Sequence, residues 1–172
     1  MSALTSFSRL FMPGQPPLSD DLKELIRLFQ SHGVEFLVVG AHALAFHARP
    51  RFTEDLDLLL RRTDENAARA RLALDEFGFA LTDEAEAKLA QDPRGLIVLG
   101  RKPNQVDLLN FLDGVEFESA WSRKVPGLLA ESQVFYLSFE DYVATKRAAG
   151  RPKDVDDLNR LREQLGRALP GD

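Results

Sequence analysis

Cysteine is absent from the sequence, and the 172 residues include only three histidines. Without thiols the chain has no disulfides and no thiolate metal ligands, which excludes a disulfide-stapled scaffold and a cysteine zinc site. This absence fits a reducing cytoplasm, where we expect the protein. No apolar run approaches the roughly 18 residues of a membrane helix, and the N-terminus lacks the features of a signal peptide, so we expect no membrane association.

An excess of positive charge is also missing. Lysine and arginine number 22 against 27 acidic residues, and the formal net charge is −5. A globally basic nucleic-acid-binding protein would have the opposite balance. Basic residues do cluster locally beside one acidic segment and near the C-terminus: Arg49, Arg51, Arg61, Arg62, Lys146, Arg147, Arg151 and Lys153. For most of them, solvated surface charge is the simplest interpretation.

The length and the 44% hydrophobic content predict one domain. We expect a loose lead-in over residues 1–18, which is interrupted by Pro and Gly, and a single domain over 19–172. The apolar periodicity and capping residues predict helices over 19–32, 41–48, 63–78, 82–91, 115–121, 138–150 and 154–166. Strands are predicted over 34–40, 55–60, 95–100, 106–112 and 131–138. This mixture indicates an α+β (or α/β) fold with a small mixed β-sheet flanked by helices, and with further helices at the C-terminus.

The strand "TEDLDLLL", residues 53–60, carries two acids where a strand ordinarily has neither. Alternation directs Leu56, Leu58 and Leu60 to one face, and Asp55 and Asp57 to the other. Residues two apart in a strand lie roughly 7 Å from each other and point the same way. Each carboxylate therefore raises the cost of ionising the other, and a cation between them would relieve it.

Two further residues predict what such a cation would hold. Gly40 ends a strand and opens a helix, where backbone amides and the helix dipole favour a phosphate. Asp107 begins another strand, and if that strand lies beside the acidic one, three carboxylates face one point. Mg²⁺ takes a few carboxylates together with substrate phosphates, so the pattern suggests Mg²⁺ (or Mn²⁺) carrying a nucleoside triphosphate.

Three segments carry a family resemblance that covers most of residues 34–160: "VVGAHALAFHARPRFTEDLDLLL", "KPNQVDLLNFLDGVEFESAW" and "LSFEDYVATKRAAGRPKDVDDL". They resemble the minimal nucleotidyltransferase superfamily, whose motifs run G-[GSA], D-x-D and D. The chain is most similar to short bacterial members related to the AbiEii-type toxins of abortive-infection and toxin–antitoxin systems. The resemblance implies a nucleotidyltransferase fold and a metal-dependent transfer of a nucleotidyl group from an NTP.

The resemblance also implies residue roles. Gly40 and Ala41 would form the phosphate-side turn, and Asp55 and Asp57 would hold the metal. Asp107 would be the third carboxylate, binding metal and activating the acceptor hydroxyl.

Four more positions match the nucleotide side of the family: Thr53, Lys146, Lys153 and Asp154. Lys146 would contact the phosphates, and Thr53 would set the loop before the acidic pair. One departure is Ala41, where relatives often have a Gly or a Ser whose hydroxyl bonds a phosphate. Two simpler interpretations stay open: Lys146 as a solvated helix residue, and Asp154 as an acid complementing a helix dipole.

The acceptor is left open among an RNA 3′ end, a protein side chain and a small molecule. The alternative to catalysis is a nucleotide- or metal-binding antitoxin or regulatory module that acts through a protein partner. Two histidines, His42 and His47, are candidates for a general base or for a lining of the pocket. They are five positions apart and do not share a helix face well, so packing is the simpler expectation.

Overall fold

The computed structural model describes residues 18–48 and 53–172. The predicted lead-in over residues 1–18 therefore lies outside the described residues except for Leu18, as do Arg49 and Arg51.

Seven helices and six strands occur in the described residues. The helices are α1 (Asp20–Ser31), α2 (Gly40–His47), α3 (Asp64–Phe77), α4 (Asp83–Gln91), α5 (Phe117–Ser122), α6 (Phe139–Ala149) and α7 (Pro152–Leu165). The strands are β1 (Phe36–Val39), β2 (Asp55–Leu60), β3 (Leu96–Leu99), β4 (Gln105–Leu109), β5 (Val125–Leu129) and β6 (Ser132–Tyr136). None of the described helices is long and apolar enough to cross a membrane.

The strands form one mixed sheet in the order β3-β4-β2-β1-β6-β5. β2 pairs in parallel with β4, and β1 in parallel with β6, while the other neighbours are antiparallel. The predicted α+β fold with a small mixed sheet is confirmed. The topology matters for function because it puts β2 between β1 and β4, so that the residues following β1 and those starting β2 and β4 meet at one end of the sheet.

The core is built from the leucine-rich strands and the apolar stripes of the helices around them. Leu58 of β2 and Leu108 of β4 are completely buried, and so are Phe29 and Ile26 of α1. Phe29 meets Phe36 of β1 edge-to-face, with ring centroids 5.8 Å apart. A fully buried side chain of this size contributes about 1.5–3 kcal/mol, so the sheet is a rigid base for the residues at its end.

Most helix boundaries follow the capping signals in the sequence. Ser19, Thr63, Thr82 and Ser138 each accept a hydrogen bond from a backbone amide of the following first turn. One strand was missed: β5 contains Pro126 and Gly127, which are typical of loops. These residues are tolerated because β5 lies at the edge of the sheet, where the backbone groups that face outward have no neighbouring strand to bond.

Candidate active site

Three carboxylates stand side by side on one face of the sheet. Asp57 of β2 is paired in register with Asp107 of β4, and Asp55 is paired with Gln105. Partners in a parallel ladder point to the same side, and residues two apart along a strand do as well. The condition on which the sequence argument depended, that the strand of Asp107 lies beside the acidic strand, is therefore met.

Gly40 makes room for one of these carboxylates. It follows Val39, the register partner of Asp57, and adopts a left-handed backbone with φ of 63°. A Cβ at this position would stand 2.1 Å from Asp57 Oδ2, so the Asp57 carboxylate would have to move from its place. The glycine at the turn is thus required both by backbone conformation and by the close approach of the Asp57 carboxylate. Ala41 comes next and lines the same cleft.

Asp55 is held at the start of β2 by Thr53. The Thr53 hydroxyl donates to the backbone oxygen of Asp55 at 3.0 Å and accepts from its amide at 3.3 Å. Its carboxylate is less well satisfied: Lys102 Nζ lies 3.8 Å from Oδ2, and Oδ1 is buried with no hydrogen-bond partner in the part of the chain that the structure describes. A buried carboxylate oxygen without a partner is costly, and it marks a position where a ligand would be stabilising.

The electrostatics of the cluster fall mainly on Asp57. Burial, followed by the charges of Asp107 and Asp55, raises the pKa of its carboxyl from 3.8 to about 6, while Lys153 and Lys146 act in the opposite direction. The surroundings of Asp57 disfavour its charged form. A cation bound beside the carboxylate would relieve this cost and would be attracted by the negative charges of the cluster.

Asp107 has one oxygen engaged by a neighbour on its own strand. Gln105 Nε2 donates to Asp107 Oδ1 at 2.9 Å. This bond fixes the rotation of the carboxyl group and leaves the second oxygen for other chemistry. The sequence analysis did not single out Gln105, although its position two residues before Asp107 in a strand puts it on the same face.

A second charged group lies on α6 and α7, across the cleft. Lys146 Nζ donates to Asp154 at 2.9 Å and to Asp157 at 2.8 Å, and Arg151 donates to Asp154 at 2.6 Å. Asp154 is fully buried, and the hydrogen bond from Arg151, followed by that from Lys146, lowers the pKa of its carboxyl to about 2. Asp154 is therefore an ionised partner of two cations, which is more than complementing the dipole of α7.

Both groups face one cleft of about 450 Å³. All nine residues predicted for the site line it: Gly40, Ala41, Thr53, Asp55, Asp57, Asp107, Lys146, Lys153 and Asp154. Other lining residues had no signal in the sequence, among them Arg94, Leu96, Phe111 and Asp113. Neither histidine lines it: His42 is buried, with a pKa lowered to about 4 by that burial, and His47 Nε2 donates to the Leu137 carbonyl at 2.7 Å.

The donor set fits Mg²⁺ held jointly by protein and substrate. Over residues 18–48 and 53–172, no three His, Asp or Glu side chains are grouped closely enough to hold a metal ion alone. Mg²⁺ usually takes only one or two carboxylates and completes its octahedron with water and substrate phosphates. Asp55, whose buried oxygen has no partner within the described ranges, and Asp57, whose pKa is raised, supply such a pair of hard oxygen ligands.

Comparison with known proteins agrees with this geometry. No curated protein sequence matches the chain significantly. One family model matches residues 18–169, nearly the whole chain, and it is described as "Nucleotidyl transferase of unknown function (DUF2204)". Its description does not name AbiEii-type toxins, so that finer resemblance stays a prediction. The basic wall of the cleft, formed by Lys146, Arg151 and Lys153, faces the paired carboxylates and the glycine turn. The chain with this cleft belongs to the nucleotidyl transferase family.

Proposed function

We propose that the protein is a metal-dependent nucleotidyltransferase that moves a nucleotidyl group from an NTP to a hydroxyl acceptor. The observation that carries this proposal is the row of carboxylates across two parallel strands, with Asp57 beside Asp107 and with a buried oxygen of Asp55 that has no hydrogen-bond partner among the residues the structure describes. Such a row is costly by itself and becomes favourable with a divalent cation and a triphosphate.

The reaction divides two tasks among the three carboxylates. Asp55 and Asp57 would hold Mg²⁺ (or Mn²⁺), which when bound neutralises charge on the triphosphate. Asp107 would take the proton of the acceptor hydroxyl through the oxygen that Gln105 leaves free. The acceptor oxygen then forms a bond to the α-phosphorus, the bond from that phosphorus to the β-phosphate oxygen breaks, and pyrophosphate leaves. Catalysis of this kind depends mainly on positioning and charge stabilisation.

The basic wall divides into a fixed and an exposed part. Lys146 is tied to Asp154 and Asp157, which hold its ammonium group in place and compensate most of its charge. Lys153 is exposed at the start of α7, and its charge acts on Asp57 across the cleft. We propose Lys153 as the side chain that meets the phosphates directly, with Lys146 and Asp154 holding the wall in place.

The hydroxyl acceptor and the biological setting are proposed only as classes. An RNA 3′ end, a protein side chain and a small molecule are all hydroxyl acceptors of the required chemistry, and the resemblance to AbiEii-type toxins suggests a toxin–antitoxin or abortive-infection role. The net charge of −5 weighs against a long RNA contact, because phosphate binding relies on Lys and Arg.

A second candidate is nucleotide binding without transfer, in an antitoxin or regulatory module. One observation favours it: Lys146, which the resemblance assigns to the phosphates, is already neutralised by two carboxylates.

The test is transfer of label from each α-³²P-NTP, with Mg²⁺ or Mn²⁺, into RNA, protein and small-molecule fractions of a lysate. Asp107→Asn keeps the shape of the side chain and removes the base, and we expect it to retain NTP binding while losing transfer by about a thousandfold or more. Asp55→Asn/Asp57→Asn should lose metal-dependent NTP binding as well.

Asp75→Asn is the matched control, because Asp75 is an exposed acid on α3 outside the cleft. Label that persists in Asp107→Asn at the wild-type rate would overturn the role of Asp107. NTP binding with no transfer into any fraction would favour the binding module.

A further inference from the structure

A planar platform stands in the same cleft, beyond the carboxylates. Arg94, just before β3, lies with its guanidinium carbon 4.1 Å from the centre of the Phe111 ring, and Phe111 comes just after β4. Arg94 Nη1 also donates to Asp113 Oδ1 at 2.9 Å. The aromatic ring and the carboxylate thus fix the guanidinium in orientation, although the Arg94 side chain is 62% exposed.

The backbone beneath this platform is fixed by one buried side chain. Asn110 Nδ2 donates to the carbonyl oxygens of Leu89 at 2.9 Å and Asp92 at 2.7 Å. Its Oδ1 accepts from the amide of Gly95 at 2.8 Å. Asn110 directly precedes Phe111, and Gly95 directly follows Arg94. The bond between Asn110 and Gly95 therefore holds the two halves of the platform together before any ligand binds.

An apolar floor connects the platform to the carboxylates. Leu109 shares the sheet face of Asp107 two residues further on, and its register partner is Leu96 of β3, which is 41% exposed. Phe111 is four residues from Asp107, a reach of at most about 13 Å in an extended chain. That is the scale of the distance from an α-phosphate to the far edge of its nucleobase.

The chemistry of the platform suits a flat aromatic ligand. Since one face of the Arg94 guanidinium covers Phe111, the opposite face is the one left to a ligand, and arginine planes stack well on nucleobases. A role in holding phosphate suits Arg94 less, because Asp113 already neutralises it. The side chain proposed for the phosphates, Lys153, belongs to a different element, α7.

We propose that Arg94, stacked on Phe111 and held by Asp113, receives the nucleobase of the bound NTP. This inference rests on the proposed function, since it takes the NTP to be bound with its phosphates between the carboxylates and α7. Stacking alone tolerates every base, so the platform contributes affinity for nucleotides over inorganic polyphosphate, and not a choice of one base.

The test compares Kd values for Mg²⁺·ATP and for Mg²⁺·tripolyphosphate by isothermal titration calorimetry. Arg94→Ala should weaken ATP binding by about tenfold or more and leave tripolyphosphate binding unchanged. Arg94→Lys keeps the charge and removes the plane, so it should lose about as much ATP affinity as Arg94→Ala. Arg71→Ala is the matched control, because Arg71 is paired with Asp83 and Glu86 outside the cleft. This variant should bind both ligands as the wild type does.

The outcomes separate the two proposals. ATP binding that Arg94→Ala leaves unchanged would overturn the platform while the proposed function stands. Full affinity in Arg94→Lys, or an equal loss for tripolyphosphate, would also overturn it, because Arg94 would then act as a phosphate cation. A wild-type protein that binds neither ligand would overturn the proposed function, and the platform with it.

Discussion

Two acidic groups face each other across the cleft, and they are built in opposite ways. On α6 and α7, the fully buried Asp154 has two cationic partners, and its pKa is lowered to about 2. On β2, Asp57 is crowded by Asp55 and Asp107, and its pKa is raised to about 6 by burial and by those charges. Among the described residues, the charges of the first group are paired with one another, whereas the second group gathers three charges of the same sign.

The difference indicates which group belongs to the fold and which to a ligand. Charges that are paired internally stabilise the α6–α7 hairpin and hold its wall in place. Charges of one sign gathered at a strand end destabilise the folded chain until a cation joins them. Functional sites commonly retain such a penalty, while the rest of the molecule offsets it.

The largest effect on stability should come from a substitution in the paired charges of α6 and α7. Lys146→Met removes a cation that two buried carboxylates, Asp154 and Asp157, share, so we expect the free energy of unfolding to fall by about 3–5 kcal/mol. Urea denaturation at pH 7.5 measures it.

The control for this change is Lys23→Met, which removes an exposed pair with Asp20 and should cost less than about 1 kcal/mol. A similar small loss for both variants would mean that the α6–α7 network is not a structural element.

The next effect has the opposite sign, because it removes a charge from the carboxylate cluster at β2. With the Asp57 pKa raised from 3.8 to about 6, ionisation costs stability at every pH above about 6. Asp57→Asn should therefore stabilise the metal-free protein by about 2–3 kcal/mol at pH 7.5, while transfer activity is lost. Chemical denaturation in the presence of EDTA measures the stability.

Asp75→Asn, at an exposed acid of α3, should leave the metal-free stability within about 0.5 kcal/mol of the wild type. If Asp57→Asn were destabilising in EDTA, the interpretation of the β2 cluster as an unrelieved charge would be wrong.

The sequence alone was sufficient for part of this comparison. Alternation in "DLDLLL" predicts that Asp55 and Asp57 share a face, because strand periodicity is local. It leaves open whether Asp107 joins them, since that depends on β4 pairing with β2 in a register that only the whole fold determines. The partnership of Lys146 with Asp154 and Asp157 likewise depends on the turn at Gly150 between two helices.

Other features had no signal to find. β5 was missed because its Pro126 and Gly127 outweigh its short apolar pattern, and only the edge position explains their tolerance. Arg94 and Phe111 lie 17 positions apart at the two ends of a hairpin, and ring stacking across that distance leaves no periodic trace in the sequence.

The third prediction concerns the binding of a divalent cation to the carboxylates of β2. Mg²⁺ or Mn²⁺ at ten times its Kd should stabilise the wild type by about 1.4 kcal/mol through mass action, since the folded state alone presents the site. Asp55→Asn/Asp57→Asn should show no such shift in thermal denaturation, and Lys23→Met should keep it. A metal-induced shift that survives loss of both carboxylates would move the cation to another part of the molecule.

The smallest effect is a change of slope with pH, and it tests the cause of the second prediction. The folded state holds the Asp57 proton between pH 3.8 and about 6, where the unfolded state has lost it, so Asp57 lowers stability as pH rises through that window. His42 acts oppositely: its pKa falls from 6.5 to about 4, so the unfolded state binds the extra proton and stability rises with pH over that range. In the wild type the two contributions largely cancel.

Asp57→Asn removes one side of this balance. Between pH 4 and 6 its stability should climb more steeply than that of the wild type, by a difference in slope that approaches about 1.4 kcal/mol per pH unit. The difference between the urea-unfolding curves of the two proteins isolates the Asp57 carboxyl together with its coupling to the neighbouring charges. That difference should grow up to about pH 6 and then level off at the gain of the second prediction. Parallel curves would show that Asp57 is ionised at an ordinary pKa, and the contrast between the β2 cluster and the α6–α7 network would then reduce to a difference in hydrogen bonding.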